Sequence, residues 1–166
     1  MKKRVLLSAA LCLLMASLWG CSQGSGGTAA GSYRVYYSAL SDQSAPLAVG
    51  YETWTPEGES LPVSGLLDAL FAGPTASGLT SPFPEGTRLR NWTLEEGCLR
   101  LDLSEQYGSL TGVDLTVADA CLVLTLCQAE GVESVYVTVE GSEIPYRPIQ
   151  QLTEEDLLTA LYGDRP

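Results

Sequence analysis

The stretch Leu66–Thr87, LLDALFAGPTASGLTSPFPEGT, constrains the fold more than any other part of the chain. Val63, Leu66, Leu67, Leu70 and Phe71 recur at i, i+3, i+4, i+7 and i+8, which is one apolar stripe of an amphipathic helix. Pro62 suits a first helical turn. Gly73 stands where a left-handed C-cap is wanted, and Pro74 forbids another turn, so the helix is predicted over Pro62–Ala72. Polar residues marked by Gly and Pro then lead to Thr87, where a strand opens.

Strands read clearly on either side. Tyr33, Val35 and Tyr37 alternate with Arg34, Tyr36 and Ser38, the pattern of a half-buried strand. Leu47–Trp54 reads as its hairpin partner, after a loop containing Pro46. Thr87–Leu94 and Cys98–Leu103 form a second hairpin around Glu95-Glu96-Gly97, read as a type I turn with a glycine bulge. That register sets Leu89, Asn91 and Thr93 opposite Leu103, Leu101 and Leu99. The other face then pairs Arg90 with Asp102 and Trp92 with Arg100. Asp102 reads as a strand-end carboxylate that accepts from nearby backbone amides. Glu105–Val113 carries no pattern. Asp114 or Thr116 caps a second helix, Leu115–Glu130, stopped by Gly131, and Val135, Val137 and Val139 alternate in a further strand. Glu143–Tyr146 is placed as an edge strand ended by Pro145. Thr153 and Asp156 make a cap for a last helix, with Leu152 and Leu157 at staple positions.

The order of Leu66, Leu67, Gly73, Pro74, Gly78, Leu79, Ser81, Pro84, Glu85, Gly86 and Thr87 resembles the signature of the GerMN domain family. Leu101-Asp102-Leu103-Ser104, the Leu122–Leu126 run, the opening Tyr-rich strand and the Glu140-Gly141 ending fit it as well. One copy covers roughly Tyr33–Pro145. The resemblance implies an α+β two-layer sandwich in which a small mixed sheet carries two helices on one face, like ring-building modules, here with a short C-terminal helix. It further implies a non-enzymatic scaffold in sporulation or germination, with envelope proteins or other copies of the chain as partners.

The N-terminal segment lies outside that domain. Lys2, Lys3 and Arg4 precede the apolar run Val5–Leu18, which is shorter than the roughly 20 residues that span a bilayer. Gly20-Cys21 resembles a bacterial lipobox, although Trp19 replaces its usual small residue. Residues 1–20 are therefore expected to be a signal peptide, with Cys21 lipidated at the outer face of the cytoplasmic membrane. Residues 21–32 are expected to be a Gly/Ser tether with a reach of about 18 Å. The GerMN domain is placed at 33–147 and a helical extension at 148–166.

Charge and residue types narrow the function. After removal of the signal peptide, six basic residues face twenty acidic ones, and neither lysine nor histidine follows Cys21. Nucleic-acid binding, which needs clustered Lys and Arg, is excluded on that ground. A serine or thiol nucleophile would lack a His or Lys base. Without His or a Cys-x-x-Cys pair, no metal or cofactor site is expected, and Cys98, Cys121 and Cys127 are read as structural. Arg88, Arg90, Trp92 and Arg100 gather on one predicted sheet face and form the candidate interaction patch. The alternative, a cell-wall or small-ligand binder, requires Trp54, Trp92 and Tyr136 to converge.

Overall fold

The computed structural model describes residues 31–39, 49–56, 62–145 and 147–162, without the side chains of 160–162. Cys21, the signal peptide, the tether up to Ala30, the Pro46 loop and the side chains of Leu161 and Tyr162 lie outside the described residues. The described residues belong to one compact unit, Gly31–Pro166. The fold is α+β, as expected, but its strands form two sheets.

The first sheet is antiparallel, with β1 (Tyr33–Ala39) between β2 (Val49–Trp54) and the short β3 (Leu79–Thr80). Val35 and Tyr37 turn inward and are almost fully buried. α1 (Pro62–Ala72) ends where Gly73 takes a φ of +83° ahead of Pro74. Its stripe of Val63, Leu66, Leu67 and Leu70 is buried, each such side chain contributing about 1.5–3 kcal/mol when fully buried. Tyr37 ties β1 to this helix by donating its hydroxyl to the Ala69 carbonyl at 2.8 Å.

Apart from the short β3, the signature loop after α1 is held largely by side chains. Glu52 of β2 accepts the Thr75 N–H at 2.7 Å and also the Ala76 N–H. Phe83 stacks on Phe71 at 5.0 Å and meets Tyr107 at 6.0 Å. In Pro84–Thr87 the Pro84 carbonyl accepts both the N–H and the hydroxyl of Thr87. Gly86, at φ +85°, supplies the conformation that a type II turn needs at its third position.

The second sheet is mixed. β4 (Leu89–Glu95) and β5 (Cys98–Leu103) are antiparallel, and β5 runs parallel to β6 (Ser134–Val139). The outer edge of β6 pairs with β7 (Ser142–Glu143) at one end and β8 (Gln151–Leu152) at the other. The edge strand expected at Glu143–Tyr146 is thus the earlier, two-residue β7, and β8 was not foreseen.

The β4–β5 hairpin corrects the expected register. Its loop is the two-residue Glu96-Gly97, with φ of +50° and +79°, and not a three-residue turn. Two positive φ values define the primed turn whose twist matches that of the strands. The one-residue difference is absorbed by a bulge between Leu89 and Asn91. Leu89 therefore still faces Leu103, while Trp92 faces Leu101 and Thr93 faces Arg100.

α2 (Gly112–Leu126) starts three residues earlier than expected and ends four earlier, at Leu126, with turns continuing to Gly131. Thr111 is the N-cap and makes no side-chain cap bond; Asp114 and Thr116 lie inside the helix. Residues Ala118 to Val123 are buried without interruption. A helix enclosed all round has no polar face to show, and α2 packs on β1, β6, α1 and the last helix, α3 (Glu154–Tyr162). α1 packs on β1 as well as on α2. Among the described residues no helix is long and apolar enough to cross a membrane.

Candidate interaction surface

The predicted patch is divided by the bulge. Residues facing each other across two strands share a sheet face, so Trp92 lies with the buried Leu101 and packs against the core. Arg100 lies on the opposite, outer face, beside Tyr136 of β6. Its guanidinium sits 4.8 Å from the Tyr136 ring centroid, and the Tyr136 hydroxyl donates to Glu143 at 2.6 Å. Arg90 bridges Asp102 at 3.0 Å and Glu140 at 2.9 Å. Arg88 is exposed, and its backbone N–H donates to the Ser104 hydroxyl. The structure thus brings Arg90 and Arg100 to one face and removes Trp92 from it.

Asp102 is the node of that face. It accepts from the Gly141 N–H at 2.7 Å, the Thr138 hydroxyl at 2.9 Å and Arg90. Burial pushes its carboxyl up, but these donors outweigh burial and hold it below the ordinary value. A shallow groove of about 150 Å³ runs across the face, past Asn91, Thr93, Arg100 and Tyr136. On this face Arg90, Asp102 and Thr138 hold one another, and Arg100 lies over Tyr136, which Glu143 fixes, so that part of the surface is ordered in advance.

The aromatic convergence required by the alternative reading is not formed. Trp54 belongs to the antiparallel sheet, where it lies 5.9 Å from Tyr33 and covers Gly65 of α1. Trp92 and Tyr136 point to opposite faces of the mixed sheet.

A second polar centre lies inside the protein. Tyr107, on a 3-10 turn at Glu105–Ser109, donates to Asp119 of α2 at 2.6 Å. Arg147 binds the same carboxylate oxygen through Nη2. Its Nε and Nη1 are buried and have no hydrogen-bond partner among the described residues. Burial pushes the Asp119 carboxyl up against the pull of Arg147, and burial drives the Tyr107 hydroxyl well above its ordinary value. No motif had pointed to this trio. Its only sequence signal is an aspartate within the apolar run Ala118–Leu126, where a buried charge requires a partner.

Arg147 also lines a cavity of about 280 Å³ between α2 and the C-terminal segment. Leu115, Ile149, Leu152 and Leu157 supply most of its apolar wall, and Asp156 closes one side. Asp156 and Thr153 form the expected reciprocal cap of α3, with a hydroxyl-to-carboxylate distance of 2.7 Å. Cys98, Cys121 and Cys127 carry free thiols. Burial pushes Cys121 and Cys127 up to about 12, which suits packing and not nucleophilic attack. Among the described residues no group of three or more His, Cys, Asp or Glu is placed to hold a metal ion.

The family model described as "Germane: Sporulation and spore germination" matches residues 34–145. No curated protein matches the chain. Among solved structures, the chain is similar to the first GerMN domain of the sporulation protein GerM from Bacillus subtilis. The TM-score is 0.57 at 20% identity, covering 74% of this chain and 98% of that one. It is also similar to the tandem GerMN domains of the same protein, with a TM-score of 0.51 at 24% identity, over 72% of this chain and 43% of that one. At these identities the likeness concerns the fold.

Proposed function

The chain belongs to the Germane family of sporulation and spore germination domains, and from that footing we propose that it is a non-enzymatic interaction module of the bacterial cell envelope. A lipid on Cys21 holds it at the outer face of the cytoplasmic membrane, and its partners are envelope or sporulation proteins, with self-association as one form. The observation that carries this reading is the outer face of the mixed sheet. Arg90 and Arg100 are fixed there by Asp102, Glu140 and Tyr136 before any partner arrives. Pre-ordered Arg and Tyr side chains lose little entropy on binding and are the residue types enriched at protein interfaces.

The anchor rests on the basic start, the short apolar run and Gly20-Cys21. The test is recovery of the lipidated protein from envelope membranes, with bound proteins identified by mass spectrometry. Cys21→Ala is expected to release the protein or to leave the precursor unprocessed. Arg88→Glu with Arg100→Glu is expected to weaken the recovered contact. A processed, tightly bound Cys21→Ala protein would remove the lipid anchor from this account. Contacts unmoved by both charge reversals, in a folded protein, would remove the sheet face.

A further inference from the structure

The cavity between α2 and the C-terminal segment lies largely beyond the family match. That match ends at residue 145, whereas Arg147, Pro148, Ile149, Leu152, Asp156 and Leu157 all line the cavity. The segment is firmly built into the fold. β8 pairs with β6, Leu152 and Leu157 are buried, and Arg147 is held by Asp119 inside the molecule. The cavity is therefore a formed feature that the extension adds to the family domain.

Its dimensions and walls select an occupant. About 280 Å³ falls just below the range typical of small-molecule pockets. It has room for a large apolar side chain, the kind of anchor that dominates protein–protein contacts. The apolar wall continues to the surface through Ile149, which lines the cavity and is 48% exposed. Apolar groups left uncovered beside a cavity mark a contact surface.

Charge selects further. From Leu101 to Tyr162 the sequence has eleven acidic residues, and Arg147 is its only basic one. Arg147 is buried and paired with Asp119, so it offers no positive field at the mouth. Asp156 lines the cavity, and Glu154 and Glu155 stand exposed on the same first turn of α3.

We propose that this cavity docks a basic segment of a partner protein, one large apolar side chain entering between α2 and the extension while flanking lysines or arginines meet the acidic turn of α3. The proposal rests on the reading of the domain as an interaction module and names the partner chemistry for a second face of it. An acidic rim steers a basic partner and sets specificity, while the apolar anchor supplies most of the affinity.

The test uses the full chain bearing Cys21→Ser and two fluorescein-labelled peptides of identical charge. Each has twelve residues, six of them lysine; the first has a central Trp flanked by Leu, and the second has Ser at those apolar positions. Fluorescence anisotropy is expected to show binding of the first peptide only, weakening with salt. Ile149→Ser is expected to weaken it about tenfold, Glu155→Lys about fivefold, and Arg100→Glu not at all. Equal binding of both peptides, or binding of the first unmoved by Ile149→Ser, overturns the proposal, as does no binding at millimolar peptide. An envelope partner that responds to Arg100→Glu but not to Ile149→Ser would leave the interaction-module reading standing and remove this surface alone.

Discussion

The Gln128 side-chain amide donates to the Arg34 carbonyl at 2.6 Å and accepts from the Arg34 N–H at 2.9 Å. Two residues along β1, the Tyr36 N–H donates to the Thr125 hydroxyl at 2.9 Å. On this edge β1 pairs with β3 only at Ser38 and Ala39. The end of α2 therefore supplies, through side chains, the bonds that another strand would have made. This contact joins the antiparallel sheet to the helix that also packs on the mixed sheet.

The two contacts should differ in weight. Thr125 is fully buried, so Thr125→Val leaves the Tyr36 N–H unpaired at a cost of about 1–3 kcal/mol. The Gln128 contact with Arg34 is exposed, and water can replace it after Gln128→Ala, so the loss is about 0.5–1.5 kcal/mol. Urea unfolding of the two variants checks the order. A larger loss at Gln128 would contradict it.

The buried trio predicts strong coupling. Arg147→Met alone strands the Asp119 carboxylate, and Asp119→Leu alone strands the guanidinium. Each should cost about 3–5 kcal/mol, whereas the double variant should recover most of the loss. A double-mutant cycle by chemical denaturation measures the interaction. Additive losses would mean that the pair is not a unit. Because Arg147 lies beyond residue 145, the same result would show that the extension stabilises the family domain.

How much of this was legible in the sequence depends on the range of the interaction. The Pro62–Ala72 helix was readable because stripe, stop and turn lie within a dozen residues. The α3 cap was readable for the same reason, since Thr153 and Asp156 are three apart. The hairpin was correct at its base, where Leu89 meets Leu103, and wrong in its middle. The choice between a two- and a three-residue loop hangs on Glu96 adopting φ +50°, a conformation its side chain disfavours. That single residue moved Trp92 from the predicted patch to the core side. Tyr107 stood alone in a stretch without periodicity, and Arg147 finds Asp119 across 28 residues of sequence. No local pattern carries such information.

The hairpin turn should be improvable. Glu96→Asn places a residue tolerant of positive φ in the first turn position and should stabilise the protein by about 0.5–1 kcal/mol. Gly97→Ala should destabilise it, because φ is +79° and a Cβ would lie 3.1 Å from the Glu133 carboxylate group. Thermal unfolding of both variants checks the signs, and a stabilising Gly97→Ala would refute the turn assignment.

The thiols should report on packing. With Cys121 and Cys127 pushed up to about 12, thiolate is scarce at neutral pH, and Cys121 is fully buried. N-ethylmaleimide should leave Cys121 unmodified in the native protein and label it in urea, as read by peptide mass spectrometry. Rapid native labelling of Cys121 would mean that α2 opens locally far more readily than its enclosure allows.

Asp102 gives the outer sheet face a defined response to acid. Its carboxyl is held below the ordinary value of 3.8, so the folded state favours the ionised form. A depressed carboxyl contributes stability that is fully present above the unfolded value and is lost as pH falls through the folded one. Asp102→Asn keeps the shape but removes the charge that accepts from Gly141 and pairs with Arg90. The variant should therefore be less stable than the parent at neutral pH, by an amount that stays constant down to about pH 4 and shrinks below it. Denaturant unfolding of both proteins across that range is the measurement. A gap that widened on acidification would mean that Asp102 is not held ionised by its partners. The face carrying Arg90 would then owe its order to something other than this carboxylate.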